Sequence, residues 1–491
     1  MDFLDPNKKR SNIIKLYVGY VLVAIAISMG ALILLFAIFG YGFNSGQVVQ
    51  NGLVFFSSQP ENADVFIENT RTGFKDQAQT NTKFTLNEGP YKATITKDGY
   101  RSWQREFNLA GGAVRRMLYP FLFPDNLNAE NKALYKTLPP LVSSSPDRQW
   151  IVVQQPGTFL KFDVYNANDQ DAEKTITDLP ASLLSKATSA QELSVVEWAN
   201  DNQNILLKHT YDDKSEFIVF NWEEPAKSFN VNRLSNQEPY EVRLKDKKTE
   251  ELYLQTDKNG LLETINVESK ALTPLVANVL AYQSYGDDML VYVEPNKTDT
   301  TKVSVKIKTN DNEYLLRTLP AGSTYDIDVA RYNDNWYIVV ASAKDNKVYI
   351  YKDPVNTLKK DSSNQAVFAR VMRIDNPEDV SFSANTQFIA AQSGKKFAVY
   401  DAEEDVQYRY EIDENIDTSK PIEWMDGHRL ITTLDGSVFI FDFDGINKQT
   451  LMPTAVADVP IIFDRDYRIA YNISKNEKQF ALQQTPLIVE N

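Results

Sequence analysis

The sequence predicts a mainly β protein with a single N-terminal transmembrane helix, a small antiparallel β domain and a seven- or eight-bladed β-propeller. Three observations lead to this fold class. No charged residue occurs among the 28 residues from Leu16 to Phe43. Short alternating patterns, typical of strands and separated by turn residues, follow this stretch. Beyond residue 140, one hydrophobic pattern recurs eight times.

The uncharged stretch is long enough to cross a bilayer as one helix. A hydrocarbon core of about 30 Å needs about 20 apolar residues, and residues 16–39 supply 24. Aromatic residues lie near both ends, as in the aromatic belts of membrane spans: Tyr17, Tyr20, Phe39, Tyr41 and Phe43. A cleaved signal peptide has a shorter apolar core, and a buried globular helix usually carries a polar stripe. We therefore predict an uncleaved signal anchor at residues 16–43.

The charges around this stretch predict its orientation. Lys8, Lys9, Arg10 and Lys15 precede it, and no positive charge follows it up to residue 51. The positive-inside rule then places a tail of residues 1–15 in the cytoplasm and the rest outside the plasma membrane. Beyond this tail, 48 basic and 64 acidic residues give a net charge of −16. Such a surface repels nucleic acid, so no nucleic-acid partner is expected.

Composition and motifs exclude several kinds of chemistry. The chain has no Cys and only two His, which rules out disulfides, thiolate metal sites and Cys nucleophiles and leaves few routes to zinc. The sequence lacks the motifs of nucleophile elbows, dinucleotide-binding folds, phosphate-binding loops and zinc proteases. We therefore predict no catalytic residue, no cofactor and no metal, and a protein that is not an enzyme.

A small β domain is expected directly after the membrane segment, at residues 50–117. Alternating or β-branched runs predict strands, and Asn-, Gly- and Pro-containing turns separate them. The predicted strands are residues 53–56, 65–67, 84–86, 91–96 and 103–109. About 65 residues of compact antiparallel sheet are enough for a domain that folds alone.

Three segments of this domain resemble the PEGA domain, a small β module of bacterial and archaeal envelope proteins. They are Ser-Gln-Pro-Glu-Asn-Ala-Asp-Val-Phe-Ile at 58–67, Leu-Asn-Glu-Gly-Pro-Tyr at 86–91 and Lys-Asp-Gly-Tyr at 97–100. Asn62 replaces the family's turn glycine, a tolerable change because Asn visits left-handed backbone more readily than most residues. Pro90 is a second departure. The resemblance implies an envelope binding or spacer module without known catalytic residues.

Residues 118–140 are predicted to be a connector, and residues 141–491 a propeller. The apolar, Pro-interrupted segment 118–124 could lie on the bilayer surface or dock between domains, and docking is the expectation, since large exposed apolar patches are uncommon. The eight repeats lie at 145–153, 198–201, 246–254, 285–292, 332–340, 382–390, 424–431 and 463–471. Pro146 and Asp464 mark comparable points, and the seven intervals between them average about 45 residues, the repeat of a four-stranded propeller blade. Strands from both ends of this region could close the ring, and an array of β-sandwiches is the alternative fold.

The first repeat carries a second resemblance. Ser-Pro-Asp-Arg-Gln-Trp-Ile at 145–151 is similar to the repeat of the propellers in Tol-system periplasmic proteins and their WD-repeat-like relatives. Arg148 stands where those repeats usually have glycine. The other seven copies keep only the hydrophobic rhythm.

Few side chains are candidates for chemistry. His209 and His428 lie in different repeats and are expected at a strand end or in a turn. Asp442 to Gly445 hints at a calcium turn, but it lacks the full 12-residue loop and equally predicts a hairpin. The acidic runs 171–174 and 403–405 are expected to be solvated loops. With 66 acidic residues, a glycosidase-like carboxylate pair remains open.

Two functions follow from these observations. The first is a membrane-tethered binding or scaffold protein of the bacterial cell envelope, whose propeller face binds a protein or a surface glycan. The alternative is an envelope hydrolase that acts on glycan or peptide through propeller carboxylates. A pocket with two carboxyl groups about 5 to 10 Å apart beside aromatic rings would favour the hydrolase.

Overall fold

A computed structural model describes residues 6–38, 40–44, 47–286, 289–309, 312–360, 365–476 and 478–489. Asp287 and Asp288 of the fourth repeat, Phe39 of the predicted span and the first five residues of the predicted tail lie outside the described residues. The chain divides into two compact units, Met1–Asn126 and Leu127–Asn491.

The first unit begins with helix α1, Pro6–Ile38. Its segment Ile13–Phe36 has a mean hydropathy of 2.5, is long and apolar enough to cross a membrane, and has none of its residues buried. Gly40 has a left-handed φ of +72°, which a continuing helix does not allow, and strand β1, Tyr41–Asn44, follows. The helix therefore begins ten residues before the predicted segment 16–43 and ends five residues before its end, because residues 41–43 continue as a strand.

Two four-stranded sheets form the rest of this unit. The first contains β1, β2 (Gln47–Phe56), β5 (Lys83–Asn87) and β8 (Val114–Met117). The second has the order β4 (Lys75–Gln79), β3 (Asp64–Asn69), β6 (Gly89–Lys97) and β7 (Tyr100–Leu109). All five predicted strands are present. The strands that the pattern did not predict are β1, polar β4 and β8.

The core of the first unit explains why the predicted strands alternate. In β3 every second residue is buried, and Val65 and Ile67 pack with Ala93, Ile95 and Trp103 of the neighbouring strands. One strand pair departs from the antiparallel expectation, because β8 runs parallel to β2. A crossover after β7 returns the chain to the first sheet, so β8 enters it in the same direction as β2.

Residues 118–124 also pack in the first unit. Leu122 belongs to the hydrophobic core just described. Its backbone N–H donates to the carbonyl of Gln59 over 2.8 Å, and the Phe123 carbonyl accepts from the N–H of Arg101 over 2.8 Å. The expectation that this segment is part of a connector is therefore corrected: it forms backbone hydrogen bonds within the first unit and buries Phe121, Leu122 and Phe123, although Leu118 is exposed.

The second unit is an eight-bladed β-propeller, counted over the described ranges. Each of blades 1 to 7 is a four-stranded sheet of consecutive strands. Their strands, β10 to β37, are Val142–Ser144, Trp150–Gln154, Lys161–Asn166 and Thr175–Asp178; Gln191–Trp198, Asn204–Tyr211, Lys214–Asn221 and Phe229–Asn230; Glu241–Lys245, Lys248–Gln255, Leu262–Asn266 and Leu272–Val276; Ala281–Tyr285, Met289–Pro295, Lys302–Thr309 and Asn312–Pro320; Tyr325–Tyr332, Asn335–Ser342, Lys347–Lys352 and Arg370–Arg373; Asp379–Phe382, Phe388–Ser393, Lys396–Asp401 and Val406–Glu411; and Glu423–Trp424, Arg429–Leu434, Ser437–Asp442 and Gln449–Pro453. Short helices lie in the connections: Ala181–Leu183, Pro225–Lys227, Val231–Ser235, Ala343–Asp345 and Pro354–Leu358.

Blade 8 combines strands from both ends of the unit. It contains β38 (Ile462–Phe463), β39 (Ile469–Asn476), β40 (Gln479–Pro486) and, on the outside, β9 (Glu130–Tyr135). β9 pairs antiparallel with β40. The propeller thus starts before the predicted residue 141, because a strand in the predicted connector closes the ring. β9 covers the edge of β40 that would otherwise be open, and the ring leaves only short, protected strand edges.

Apolar layers between neighbouring blades hold the ring together. Blades 1 and 8 share one such layer, in which Val142 and Ile151 pack with Ile462, Ile469 and Tyr471. Equivalent layers join blades 1 and 2, 2 and 3, 3 and 4, 4 and 5, 5 and 6, and 6 and 7. The predicted fold class is confirmed, and its blade number is eight.

Candidate functional site

All eight sequence repeats begin at the same end of the propeller. In each blade the inner strand lines the centre of the ring and turns back into the second strand, and the repeats cover these turns. We call this end the AB face, and the opposite end, where the outer strand leads to the next blade, the DA face. The sequence signal therefore marks one face of the ring eight times.

Polar side chains build the turns of the AB face. In blade 1, the Asp147 carboxylate accepts hydrogen bonds from the Ser145 hydroxyl (2.5 Å) and the Gln149 N–H (3.1 Å). In blade 6, Asn385 accepts in the same way from Ser383 (2.7 Å) and Gln387 (3.2 Å). Such local bonds fix a turn without a glycine.

Arg148 occupies the position where glycine was expected, and its φ is +59°. Its guanidinium carbon lies 4.2 Å from the centre of the Tyr467 ring in blade 8. Its Nη2 donates to the Met425 carbonyl of blade 7 over 3.2 Å. The side chain therefore spans from blade 1 to blade 7 across blade 8 and compensates for a strained backbone.

A cavity of about 440 Å³ opens on the AB face between blades 2 and 5. We call it the AB pocket. Its lining comes from the inner strands and turns of four blades: Glu197, Asn200, Arg243, Leu244, Asp246, Lys247, Tyr282, Gln283, Ser284, Tyr285, Gly286 and Val329. The packing of these four consecutive blades brings the segments together, and a volume of this order suits a small ligand or one projecting residue of a partner.

The charged groups of the AB pocket are paired with one another or with their neighbours. The Glu197 carboxylate, 7% exposed, contacts the Lys247 ammonium. Arg243 Nε lies 2.6 Å from Glu241 Oε1. The Asp246 carboxylate is likewise held by Lys248, with Nζ 2.6 Å from Oδ2. The two cations and two anions that line the pocket are all paired, so the pocket carries no net charge.

The neutral groups of the AB pocket are not satisfied in this way. The Tyr282 hydroxyl oxygen is buried and has no hydrogen-bond partner among the described residues. Burial, followed by the Glu241 carboxylate, raises the pKa of Tyr282 well above its usual value, so this hydroxyl keeps its proton. Tyr285 is 37% exposed, and its ring packs edge-on against Trp336 of blade 5 at 4.8 Å. The pocket thus offers a hydroxyl and an aromatic wall.

Carboxylates on the inner strands cap the open strand edges of the next blade. Asp326 Oδ2 accepts from the N–H of Val380 over 2.7 Å, and Asp328 Oδ2 accepts from that of Phe382 over 3.0 Å. Glu197 accepts from the N–H of Leu244 in the same manner. These N–H groups belong to inner strands that have no fifth strand to pair with. These carboxylates therefore have a structural role, because they accept hydrogen bonds from backbone N–H groups that no strand pairs with.

Asp379 differs from the aspartates beside it. Its side chain makes no hydrogen bond within the described part of the chain. Burial raises the pKa of its carboxyl to about 7, and the nearby Asp326 and Asp328 carboxylates add to the rise. Burial also raises the pKa of Asp328 to about 6, although the N–H groups of Phe382 and Val329 oppose this. Asp379 is the acid of this cluster with no structural partner.

The two histidines do not meet. His209 lies near the end of its strand in blade 2 and is fully buried, with Nδ1 2.8 Å from Glu216 Oε1 and Nε2 3.0 Å from Gln191 Oε1. Burial alone would raise the pKa of Glu216, but hydrogen bonds from His209, Ser185 and Asn230 lower it to about 2. His428 lies in the AB turn of blade 7, where its ring packs edge-on against Phe388 at 5.3 Å.

Asp442 to Gly445 forms the turn between the third and fourth strands of blade 7. The Gly445 N–H donates to the Asp442 carbonyl over 2.8 Å, and Gly445 has a φ of +80°. Asp442 Oδ2 accepts from Asn447 Nδ2 over 2.8 Å. The segment is therefore the hairpin turn that the sequence offered as the alternative to a calcium turn. Within the ranges that the structure describes, no group of three His, Asp or Glu residues is arranged to hold a metal ion.

A second depression, about 650 Å³, lies on the DA face around blade 7. It is wider and more open than the AB pocket and is lined mainly by small and polar residues of loops, including residues 415–419. Asp417 already accepts from the Ser419 N–H (2.9 Å) and hydroxyl (2.6 Å). Its lining contains neither an aromatic ring nor a basic residue, so the AB pocket is the stronger candidate for recognition.

Comparison with known families supports the identity of the first unit. A family model described as the PEGA domain matches residues 51–119, close to the span 50–117 expected from the sequence. Asn62, which replaces the family's turn glycine, has a left-handed φ of 57°. This segment is similar to the PEGA domain, and the match covers a minor part of the chain.

Comparison with solved structures found matches of low sequence identity. Hsv2p of Kluyveromyces lactis is 10% identical and matches 72% of this chain and 99% of its own, with a TM-score of 0.35. A chain from a eukaryotic initiation factor structure is 11% identical over 80% of this chain and 97% of its own, with a TM-score of 0.37. No curated protein matches the sequence. The propeller assignment rests on the strand pairing.

The residues of the AB pocket were not singled out from the sequence. Arg243 and Lys247 lie in blade 3 and Tyr282 and Tyr285 in blade 4, and the sequence pattern assigned none of them a binding role. One signal was present: Asp246 and Tyr285 each begin a repeat. Repeat starts on neighbouring blades lie on one face. The sequence pattern alone does not give their positions around the ring, which depend on the blade order and the closing strand.

Proposed function

We propose that this protein is a membrane-tethered binding protein of the bacterial cell envelope, which recognises a protein or a surface glycan through the AB face of its propeller. The AB pocket carries this proposal. It is the place where four blades converge on a concave surface with an exposed tyrosine and an unpartnered hydroxyl. Convergent polar groups beside aromatic rings are typical of recognition sites.

The N-terminal helix supports the tether. All described side chains of its 24-residue apolar segment are exposed, and leaving such a surface in water costs about 25 cal/mol per Å². A bilayer would cover it. Four basic residues precede it, which favours a cytoplasmic N-terminus and an extracytoplasmic propeller. The PEGA domain fits an envelope location.

Site-directed cross-linking tests the binding face. Because the chain has no cysteine, one introduced thiol gives a unique attachment point for a photo-cross-linker. Arg331→Cys lies beside the Tyr285–Trp336 ring pair on the AB face, and Thr418→Cys in an exposed DA loop is its control. We expect a defined adduct in native membranes from the first site and none from the second. Equal adducts from both, or none from Arg331→Cys, would refute the proposal.

One observation favours the alternative, a hydrolase acting on glycan or peptide. Asp379 has a raised pKa of about 7 and neighbouring carboxylates, the environment of a general acid. Turnover of a glycan or peptide panel by the purified protein, abolished in Asp379→Asn and retained in Asp178→Asn, would establish this function instead.

A further inference from the structure

We infer that the AB pocket selects an uncharged, hydroxyl-rich ligand, namely a neutral oligosaccharide, over anionic or cationic ligands. This inference rests on the proposed function, because it names the ligand class of the same face. Three observations support it: the pairing of the charges, the unpartnered neutral groups and the aromatic wall.

The charges argue against an ionic ligand. An anion would bind by pairing with Arg243 or Lys247, but Glu241 and Glu197 already contact these cations. A cation would have to displace Lys247 from Glu197, whose carboxylate is almost completely buried and also accepts from the Leu244 N–H. Breaking one partner from a buried ion pair leaves an uncompensated charge, which is unfavourable. Either kind of ionic ligand therefore competes with an existing contact.

The neutral groups favour a polar, uncharged ligand. The buried Tyr282 hydroxyl lacks a partner, and an unsatisfied buried polar group is costly until a ligand or water completes it. Gln283 and Ser284 also line the pocket, and their side chains make no hydrogen bond within the described part of the chain. A hydroxyl group on a ligand both donates and accepts, so it can satisfy all three.

The aromatic wall supplies the remaining contact. Tyr285 is partly exposed, and Trp336 packs against it edge-on and holds its orientation. The Arg331 guanidinium lies 5.3 Å from the centre of the Trp336 ring, on the strand that pairs with the strand of Trp336. A pyranose ring presents an apolar C–H face and a rim of hydroxyls. It matches a pocket with one aromatic surface and several neutral hydrogen-bonding groups.

Titration calorimetry with the full-length protein in detergent tests this inference. The probes are neutral chitotetraose, cellotetraose and maltotetraose, the cationic glucosamine tetramer and the anionic tetragalacturonate. We expect at least one neutral tetramer to bind at least tenfold more tightly than both charged tetramers. Tighter or equal binding of a charged tetramer, or no neutral binding up to 10 mM (roughly the weak limit of specific recognition), would overturn it.

Substitutions place the binding in the AB pocket. Tyr285→Ala should weaken the neutral tetramer at least tenfold and Tyr282→Phe several-fold, whereas Tyr240→Ala, an exposed tyrosine elsewhere on blade 3, should have no effect. Unchanged binding in Tyr285→Ala would contradict the assignment. If no neutral tetramer binds while Arg331→Cys still cross-links, the ligand class is wrong and the binding face stands. If no neutral tetramer binds and Arg331→Cys also fails to cross-link, the proposed function is refuted as well.

Discussion

Asp326, Asp328 and Asp379 lie close together on the inner strands of blades 5 and 6, yet they have different partners. Asp326 and Asp328 each accept a backbone N–H from the next blade. Asp379 accepts none among the described residues, and its carboxyl has a pKa of about 7. In the folded protein, Asp379 is therefore protonated in mildly acidic solution and charged in basic solution.

Replacing Asp379 by Asn should stabilise the protein in a pH-dependent way. The pKa of Asp379 in the folded protein lies above its unfolded value near 4, so folding favours the protonated carboxyl. The stability that this protonated carboxyl contributes to the folded protein is lost as pH rises through 7. We expect Asp379→Asn to raise the free energy of unfolding by about 1 to 2 kcal/mol at pH 8, allowing for partial solvent screening, and to have little effect at pH 4. Denaturant unfolding at both pH values measures this. Exposed Asp178→Asn should show no such difference, and an equal effect of Asp379→Asn at both pH values would contradict the account.

Arg148 shows how a side chain compensates for a strained backbone. Its left-handed φ costs about 1 kcal/mol in a non-glycine residue, while its guanidinium contacts Tyr467 and Met425. Arg148→Ala should lose these contacts and keep the strain, and Arg148→Gly should lose both. We expect the glycine variant to be about 1 kcal/mol more stable than the alanine variant by chemical denaturation. An alanine variant as stable as the glycine variant would show that the backbone is not strained.

At the scale of elements, strand β9 closes the propeller through one polar cluster as well as its backbone pairing. The Tyr135 hydroxyl lies 2.8 Å from that of Tyr165 and donates to the buried Asp163 carboxylate over 3.1 Å. Lys174 and Gln155 contact the same carboxylate at 3.0 and 2.7 Å. Blade 1 therefore holds the outer strand of blade 8 by side-chain contacts.

Removing the Tyr135 hydroxyl should weaken this closure. Tyr135→Phe leaves Asp163 without one of its buried donors, which should cost about 1 to 3 kcal/mol. Leu134→Ala, a change at an exposed residue of the same strand (57% exposed), should cost less than about 0.5 kcal/mol. Hydrogen exchange resolved by peptide should show faster exchange of β9 and β40 in Tyr135→Phe. Unchanged exchange in both strands would mean that the cluster does not hold the ring closed.

Helix α1 should be sensitive to charge at its centre. Ile27 lies near the middle of the apolar segment Ile13–Phe36, where a lysine costs about 2.5 to 3.5 kcal/mol in membrane insertion. We expect Ile27→Lys to release much of the protein from carbonate-washed membranes, while Ile27→Leu stays bound. Full retention of the lysine variant in the membrane fraction would contradict a spanning role for this helix.

At the scale of the whole molecule, the sequence predicted what depends on local pattern. The period of about 45 residues predicted the propeller because every blade repeats the same buried rhythm. The strands that the pattern did not predict lack a regularly alternating apolar face. β4 is Lys-Asp-Gln-Ala-Gln, whose side chains are exposed or half-buried, and β9 is a mixed, largely exposed strand. Pairing with a neighbour, and not an apolar face of their own, makes these segments strands.

The AB pocket could not be predicted for a related reason. Glu197, Arg243 and Tyr282 come together only because blades 2, 3 and 4 are neighbours in a closed ring. Along the chain, nothing in the spacing of these three residues distinguishes them from other residues of the blades. The similarity to the PEGA domain was predictable because the turn residues that carry it are contiguous in sequence, as Asn62 shows with its left-handed backbone.

We propose that the AB face is occupied by a partner outside the membrane. Labelling of single thiols by a membrane-impermeant maleimide tests it most directly, with Arg331→Cys on the AB face and Thr418→Cys on the DA face, in intact cells and after purification in detergent. We expect Thr418→Cys to label rapidly in both states and Arg331→Cys to be shielded in cells and to label rapidly once purified. Equal labelling of both thiols in intact cells, or no labelling of Thr418→Cys there, would contradict the claim.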